Sequence, residues 1–282
     1  MNKIKVIVCS NSAIDYIEYP KEIEIFRMNL HFGSESYLDF VEMPAKEFYQ
    51  RIGDNPNDIP KTSYTPLGQM LERFDQLEKE VYTDAIVITI ARPLSGMCDA
   101  IKKIATETKL NVVAYDSRTL AYPEAYMAIT AQKMVQNGAN LEEILGVLDF
   151  IRDNNHMFFT VDTLLYLVKN GRLSKLQGTL GSMLQLKPVL TFSKEGKVET
   201  LEKIRTSNKA LRRVVELYLE ETKGMDCLTF ISHAHNDEAV ALMTELIHEV
   251  YPNREIVSSY LTPVVGAHTG PKAIGLGWIR KQ

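Results

Sequence analysis

Cysteine is scarce in this 282-residue chain. Its three thiols, Cys9, Cys98 and Cys227, lie far apart with no CxxC pair. That spacing offers no disulfide framework and no zinc-ligand pattern, and it fits reduced, buried thiols in a reducing compartment. Positive charge is not in excess either. Lys and Arg number 32 against 36 Asp and Glu, a formal net charge of −4. This balance argues against nucleic acid as a partner, and no dense basic run is present to hold an anionic membrane. No apolar run approaches the length of a membrane span. The first apolar stretch, Ile4-Lys5-Val6-Ile7-Val8, is too short for a signal peptide and suits a first strand, so a cytoplasmic location is expected. A P-loop and a GxGxxG are both missing, which leaves nucleotide binding without direct support. Internal repeats and low-complexity linkers are absent too.

What is present is an ordinary globular composition, 45% hydrophobic and 24% charged, in a chain long enough for two domains or one large α/β domain. Residues 4–9 and 85–90 are apolar and β-branched, as in strands buried on both faces. Residues 23–30 and 112–115 are further strand candidates. Leu67, Met70, Leu71, Phe74 and Leu77 recur at helical spacing after Pro66, predicting a helix over 66–80. Pro44 sits where another helix would begin. Helices are also predicted over 96–108 and 123–136. This β-α-β-α alternation implies a parallel sheet with helices on both faces. Ligands of such sheets bind beyond the carboxyl ends of the strands, so loops 9–15, 91–96 and 115–122 should share one rim. The second half reads as a strand near 158–161, helical stretches to about 185, a hairpin of 187–193 with 197–206, helices over 207–222 and 236–250, and strands over 227–232 and 254–260. The tail alternates through two glycines and is assigned as a strand. The expected division is 1–157, a Rossmann-like α/β domain, and 158–282, a second α/β domain.

Three polar clusters are candidates for chemistry. In Lys61-Thr62-Ser63-Tyr64-Thr65-Pro66 and in Pro93-Leu94-Ser95-Gly96, hydroxyls meet helix starts, where exposed N–H groups favour anions. Thr65 and Ser95 also serve as expected N-caps, which alone accounts for many such residues. In Gly266-Ala267-His268-Thr269-Gly270-Pro271, glycine and proline bracket His268 and Thr269 in what reads as a constrained loop. Arg172 follows the helix-ending Asn170-Gly171, either satisfying helix-end carbonyls or contacting an anion. Ser95, Asp116 and His268 follow the chain order of an α/β-hydrolase triad, yet Leu94-Ser95-Gly96 lacks the GxSxG elbow. His233-Ala234-His235 with Asp237 imitates metal ligands but suits a capped strand-to-helix turn, with no further ligands evident.

Together these segments resemble the DegV family, whose members include the fatty-acid-binding subunits of bacterial fatty acid kinase. The resemblance spans 3–281 as one unit. It rests on Pro60-Lys61-Thr62-Ser63, Leu94-Ser95-Gly96 and Asp116-Ser117-Arg118. It also rests on Tyr166 through Ser174, continuing through Leu180-Gly181-Ser182 to Lys187-Pro188-Val189-Leu190, and on Gly266 through Pro271. The chain departs from the family pattern at Ser10-Asn11, where an Asp-Ser pair is usual, at Met97 and at Arg92-Pro93.

The resemblance implies a two-domain DegV-like α/β fold that binds one long-chain fatty acid, such as palmitate, stearate or oleate, in a buried tunnel. Thr62 and Ser95 would bind the carboxylate, with Ser63, Arg172, His268 and Thr269 as a supporting polar network. It further implies a kinase subunit that phosphorylates the bound acid, an acyltransferase that accepts the acyl phosphate, and a role in feeding exogenous fatty acid to phospholipid synthesis. Transient membrane contact is compatible with this. The expectation includes no catalytic residue, metal, cofactor or nucleic acid. The alternative is a serine esterase or acyl-phosphate hydrolase using Ser95 and His268.

Overall fold

The computed structural model describes residues 3–173 and 186–281. Ser174 and Leu180-Gly181-Ser182, which carry part of the family resemblance, lie outside the described residues, as does the end of the helical stretch expected to reach 185.

In chain order the elements begin with β1 (Ile4–Cys9), β2 (Glu24–Phe26), β3 (Asn29–Phe32), β4 (Glu35–Leu38), α1 (Ala45–Asp54), β5 (Lys61–Ser63) and α2 (Leu67–Lys79). They continue with β6 (Asp84–Thr89), α3 (Met97–Ile104), β7 (Asn111–Asp116), α4 (Tyr122–Gln136), α5 (Leu141–Asp153), β8 (Asn155–Thr160) and α6 (Leu165–Lys169). The remainder is β9 (Val189–Phe192), β10 (Val198–Glu202), α7 (Ser207–Glu221), β11 (Cys227–His233), α8 (Asp237–Val250), β12 (Ile256–Tyr260), α9 (Pro263–Thr269) and β13 (Ile274–Arg280).

Two compact units arise. The first comprises the described residues up to 29, with 63–153 and 194–196; the second comprises those of 30–62, 154–193 and 197–282. Residues 30–62 thus group with the second half of the chain, where the sequence reading makes a single cut at 157/158. A contiguous cut fails here because the segment 23–30 is two strands, not one. β2 pairs with β1, while β3 joins a different sheet of order β4-β3-β5.

The first unit is a parallel sheet of order β2-β1-β6-β7. Every residue of β6 is buried, as a strand covered on both faces requires. One face packs Ile7, Cys9 and Val87 against Met70, Phe74 and Leu77 of α2 and Ile101 and Ile104 of α3. Alternation turns the intervening side chains to the opposite face. There α4 packs on β1 and β6 and buries Ala125, Ala128 and Ala131. Because all four strands run the same way, the segments after β1, β6 and β7 share the carboxyl edge, as the alternation implied. Helix α5 is an element that the sequence reading omits; it packs on α4.

The second unit carries a six-stranded sheet of order β10-β9-β8-β13-β11-β12. Only β11 and β12 pair in parallel; the other neighbours are antiparallel. Helices α7 and α8 supply Val214, Val215, Tyr218, Met243 and Ile247 to a core with Phe158, Ile231, Ile274 and Leu276. The three-stranded sheet, α1, α6 and α9 also belong to this unit. Among the described residues, no helix is long and apolar enough to cross a membrane, and Cys9, Cys98 and Cys227 are free and buried.

Candidate functional site

The glycine-bracketed segment around His268 is not a loop. Residues Pro263–Thr269 form α9, with Pro263 at its first position and Gly270 as its C-cap. Proline suits a first turn because its missing N–H would be unpaired there anyway. Gly266 lets the helix approach α1 closely. A Cβ at Gly266 would lie 2.6 Å from Phe48 Cε1 and from the Tyr49 hydroxyl. That hydroxyl donates to the Leu261 carbonyl at 2.9 Å. Gly270 ends the helix at φ 76°, ψ −179°, a conformation that is essentially glycine's alone. A side chain there would also strike the Tyr166 ring at 2.7 Å. The Gly-x-x-x-Gly spacing of the signature is therefore a packing requirement on both sides of His268.

His268 Nε2 lies 2.8 Å from Thr62 Oγ1, across 206 positions of chain. Thr62 is in β5, in the middle of a short strand, rather than at a helix start as the hydroxyl cluster suggested. Asn170 brings the two together. As the C-cap of α6, its side-chain amide donates to the Ala267 carbonyl at 2.8 Å and to the Pro60 carbonyl at 3.4 Å. One amide carries two donors, so Asn170 fastens the residue before His268 to the segment entering β5. The sequence reading took Asn170 only as a helix-ending residue. Its position inside the Lys-Asn-Gly-Arg motif was the available signal.

Burial, followed by the positive charge of Arg172, pulls the His268 imidazole down to about 3. It is therefore neutral at physiological pH, with one ring nitrogen protonated. Its Nδ1 is sealed from solvent and has no hydrogen-bond partner among the described residues. The tautomer with the proton on Nε2 donates to Thr62 Oγ1 and leaves an acceptor, not a donor, on the orphaned nitrogen. Buried orphan donors are the rarer case. In that tautomer the Thr62 hydroxyl proton is available to a third group. Arg172 donates through Nη1 to the Asn170 carbonyl and through its backbone N–H to the Leu167 carbonyl at 2.9 Å. Burial lowers the pKa of its guanidinium. Thr269 donates to the Val265 carbonyl at 3.3 Å within its own helix. Ser63 follows Thr62 at the end of β5.

Ser95 belongs to the first unit. It precedes the α3 N-cap, which is Gly96 rather than Ser95. The Ser95 hydroxyl nevertheless accepts the Met97 N–H at 3.3 Å, satisfying one unpaired donor of the first turn. Thr65 does not cap α2. Pro66 holds that position, and the Thr65 hydroxyl donates to the Arg27 carbonyl at 2.7 Å. Asp116 Oδ1 accepts the backbone N–H groups of Arg92 and Arg118 at 3.2 and 3.1 Å. The Asp-Ser-Arg motif thereby ties the β6–α3 loop to the β7–α4 loop. With Asp116 bonded to backbone and His268 Nε2 bonded to Thr62, these contacts differ from those of a Ser-Asp-His relay.

His233 is buried, stacks on Tyr260 with centroids 4.7 Å apart, and accepts the Asn236 N–H at 3.2 Å. It is the last residue of β11, and among the described residues no group of three or more His, Cys, Asp or Glu is arranged to hold a metal. Asn236 is the α8 N-cap by position, but its side chain donates instead to the Lys272 carbonyl at 2.9 Å.

Comparison with known proteins gives one consistent result. The family model described as "Uncharacterised protein, DegV family" matches residues 3–281. Protein DegV of Bacillus subtilis is 31% identical over 263 residues, 92% of each chain. A DegV domain-containing protein of Clostridium acetobutylicum is 30% identical over 280 residues, 98% of each chain. Among solved structures, DegV from Bacillus subtilis, a fatty acid binding protein, superposes with a TM-score of 0.86 at 30% identity, covering 100% of both chains. A fatty acid binding DegV family protein from Streptococcus agalactiae shares the fold with a TM-score of 0.91 at 24% identity, again over 100% of both chains.

Proposed function

Because this chain belongs to the DegV family, we propose that it binds a long-chain fatty acid and presents the carboxylate to a separate fatty acid kinase. The observation that carries the reading is the Thr62–His268 hydrogen bond with its neutral imidazole. A carboxylate is only an acceptor, so its site must supply donors. The Nε2-protonated imidazole orients Thr62 to donate its hydroxyl proton, and the nearby Arg172 charge favours an anion. Ser95 is the second proposed carboxylate ligand, with Ser63, Arg172, His268 and Thr269 in support. The solved Bacillus subtilis relative, named as a fatty acid binding protein, supports the choice of ligand.

The physical terms divide between tail and head. Burying the acyl chain contributes about 0.8 kcal/mol per methylene, roughly 10 kcal/mol for a chain like palmitate as an upper bound. The carboxylate opposes this unless it is hydrogen-bonded, and each bond to a charged group returns about 1.5–3 kcal/mol. The tail thus supplies affinity and the head group supplies discrimination. The kinase would phosphorylate the held carboxylate, and an acyltransferase would accept the acyl phosphate for phospholipid synthesis. Bond-making is assigned to those partners.

Native mass spectrometry of the purified protein, before and after denaturation, tests the reading. One fatty acid per chain is expected. A ligand-free protein that also fails to bind palmitate, stearate and oleate in titration would sink it.

A further inference from the structure

Beneath the carboxyl edge of the first unit lies a polar pair that the fatty-acid reading does not use. Asn11 follows β1 in a single 3-10 turn, Ser10–Ser12. Glu124 is in the first turn of α4. Asn11 is 1% and Glu124 0% exposed. Asn11 Nδ2 donates to Glu124 Oε2 at 2.5 Å. The other oxygen of each side chain, Asn11 Oδ1 and Glu124 Oε1, is buried with no partner among the described residues.

We infer that Glu124 is held as an uncharged carboxylic acid, joined to the Asn11 amide by two hydrogen bonds, and that this pair positions Ser95. The positioning role rests on the fatty-acid reading above; the protonation does not.

The orphaned atoms carry the argument. An ionised Glu124 has acceptors only, and Asn11 Oδ1 is an acceptor, so two sealed oxygens on this one pair would each be left without a hydrogen. One proton on Glu124 removes both defects, because the acid gains a donor and the amide oxygen gains a partner. The opposite rotamer of the amide leads to the same conclusion. It would set two oxygens 2.5 Å apart, a separation in the range of a short O–H···O bond that contains a proton. Electrostatics agree with the geometry. Burial first, and then the Asp116 carboxylate at the end of β7, raise the Glu124 pKa well above its ordinary value, against the opposing hydrogen bond from Asn11. On the β1 side the ionisable neighbour is the Cys9 thiol, raised by burial and by Glu124.

The route to Ser95 is short. Cys9, two residues before Asn11, touches Met97 sulfur-to-sulfur at 3.2 Å. The Met97 N–H is the group that Ser95 accepts. Ser10 accepts the Met28 N–H at 3.2 Å and fixes the other side of the same turn. Glu124 in turn follows the loop that Asp116 ties to Arg92. The acid–amide pair therefore joins the turn after β1 to the start of α4, around the loop that carries Ser95.

Carbon-13 NMR of the full chain labelled at glutamate carboxyls tests the proton, with Glu124→Gln assigning the signal. The assigned signal should keep the shift of a protonated acid from about pH 5 to 7, while ordinary glutamates titrate near pH 4.3. A Glu124 signal that titrates with the ordinary ones overturns the neutral pair. Palmitate titration tests the positioning. Glu124→Ala should weaken binding by about tenfold, and Glu124→Gln should recover most of that loss, because two amides pair through the same two bonds. If Glu124→Ala does not fold, Asn11→Ser takes its place with the same expected loss. Wild-type affinity in the folded variant overturns the positioning role. A wild-type chain that binds no palmitate would sink the fatty-acid reading instead, and the carboxyl signal would still decide the pair.

Discussion

Thr62 and His268 are hydrogen-bonded at 2.8 Å although 206 positions separate them in the chain. Thr62 comes from a strand and His268 from a helix, each held by packing that the other does not share. Asn170, on a third element, fastens the segments that carry them. The site's chemistry thus depends on an amide that is neither donor nor acceptor to the Thr62–His268 bond.

The first prediction separates head-group binding from helix capping. Replacing Thr62 by Val and Ser95 by Ala together should weaken palmitate by about 3–6 kcal/mol, on the basis of two bonds to a charged acceptor. The matched fatty alcohol should lose less, since its bonds are neutral. Parallel titrations of both ligands check this. Equal losses would mean that these hydroxyls serve only their own backbone.

The second concerns pH. The folded-state pKa of His268 is depressed to about 3, while an unfolded histidine titrates near 6.5. The folded chain therefore resists the proton that the unfolded chain accepts. Stability linked to His268 is fully present above about pH 6.5 and declines as pH falls toward 3, by up to about 1.4 kcal/mol per unit. Urea denaturation of wild type and His268→Gln at pH 7, 5.5 and 4.5 reads this directly. The gap between the two should move in favour of the variant as pH falls. A constant gap would show that His268 ionises as freely in the folded state as in the unfolded one.

The third concerns docking of the proposed kinase. Lys203, Arg205 and Lys209 are exposed beside the β10–α7 connection. Arg213 is already engaged by Glu202, Glu216 and Glu220, and Arg212 donates to Asn208, so the first three are the better steering candidates. Electrostatic steering acts mainly on association rate and is screened by salt. Reversing Lys203 and Arg205 to Glu should leave palmitate affinity intact and slow acyl phosphate formation with a cognate kinase, most at low salt. An unchanged rate across the salt range would move the docking surface elsewhere.

Much of this protein was determined by the sequence itself, because local patterns have local causes. The continuous apolar runs of β1 and β6 require burial on both faces, and their alternation with helical periodicity implies a parallel sheet with a shared carboxyl rim. Helix α2 was legible from Leu67, Met70, Phe74 and Leu77. His268 was visible as a special position because glycines flank it. What these patterns lack is any record of distant partners. Residues 23–30 read as one strand candidate, yet β2 and β3 enter different sheets, since pairing is decided by neighbours far along the chain. The Gly266–Gly270 segment read as a loop from composition. It is a helix, and its two glycines are there because Phe48, Tyr49 and Tyr166 leave no room for side chains at those positions, a requirement that arises only once α1 and α6 are packed. Asn11 showed only as part of a departure from the family pattern, and Glu124 gave no signal at all. One is a polar residue in a turn and the other an acid in the first turn of a helix, where acids are common. Only the tertiary structure sealed them against each other 113 positions apart and removed the water that would have kept Glu124 charged.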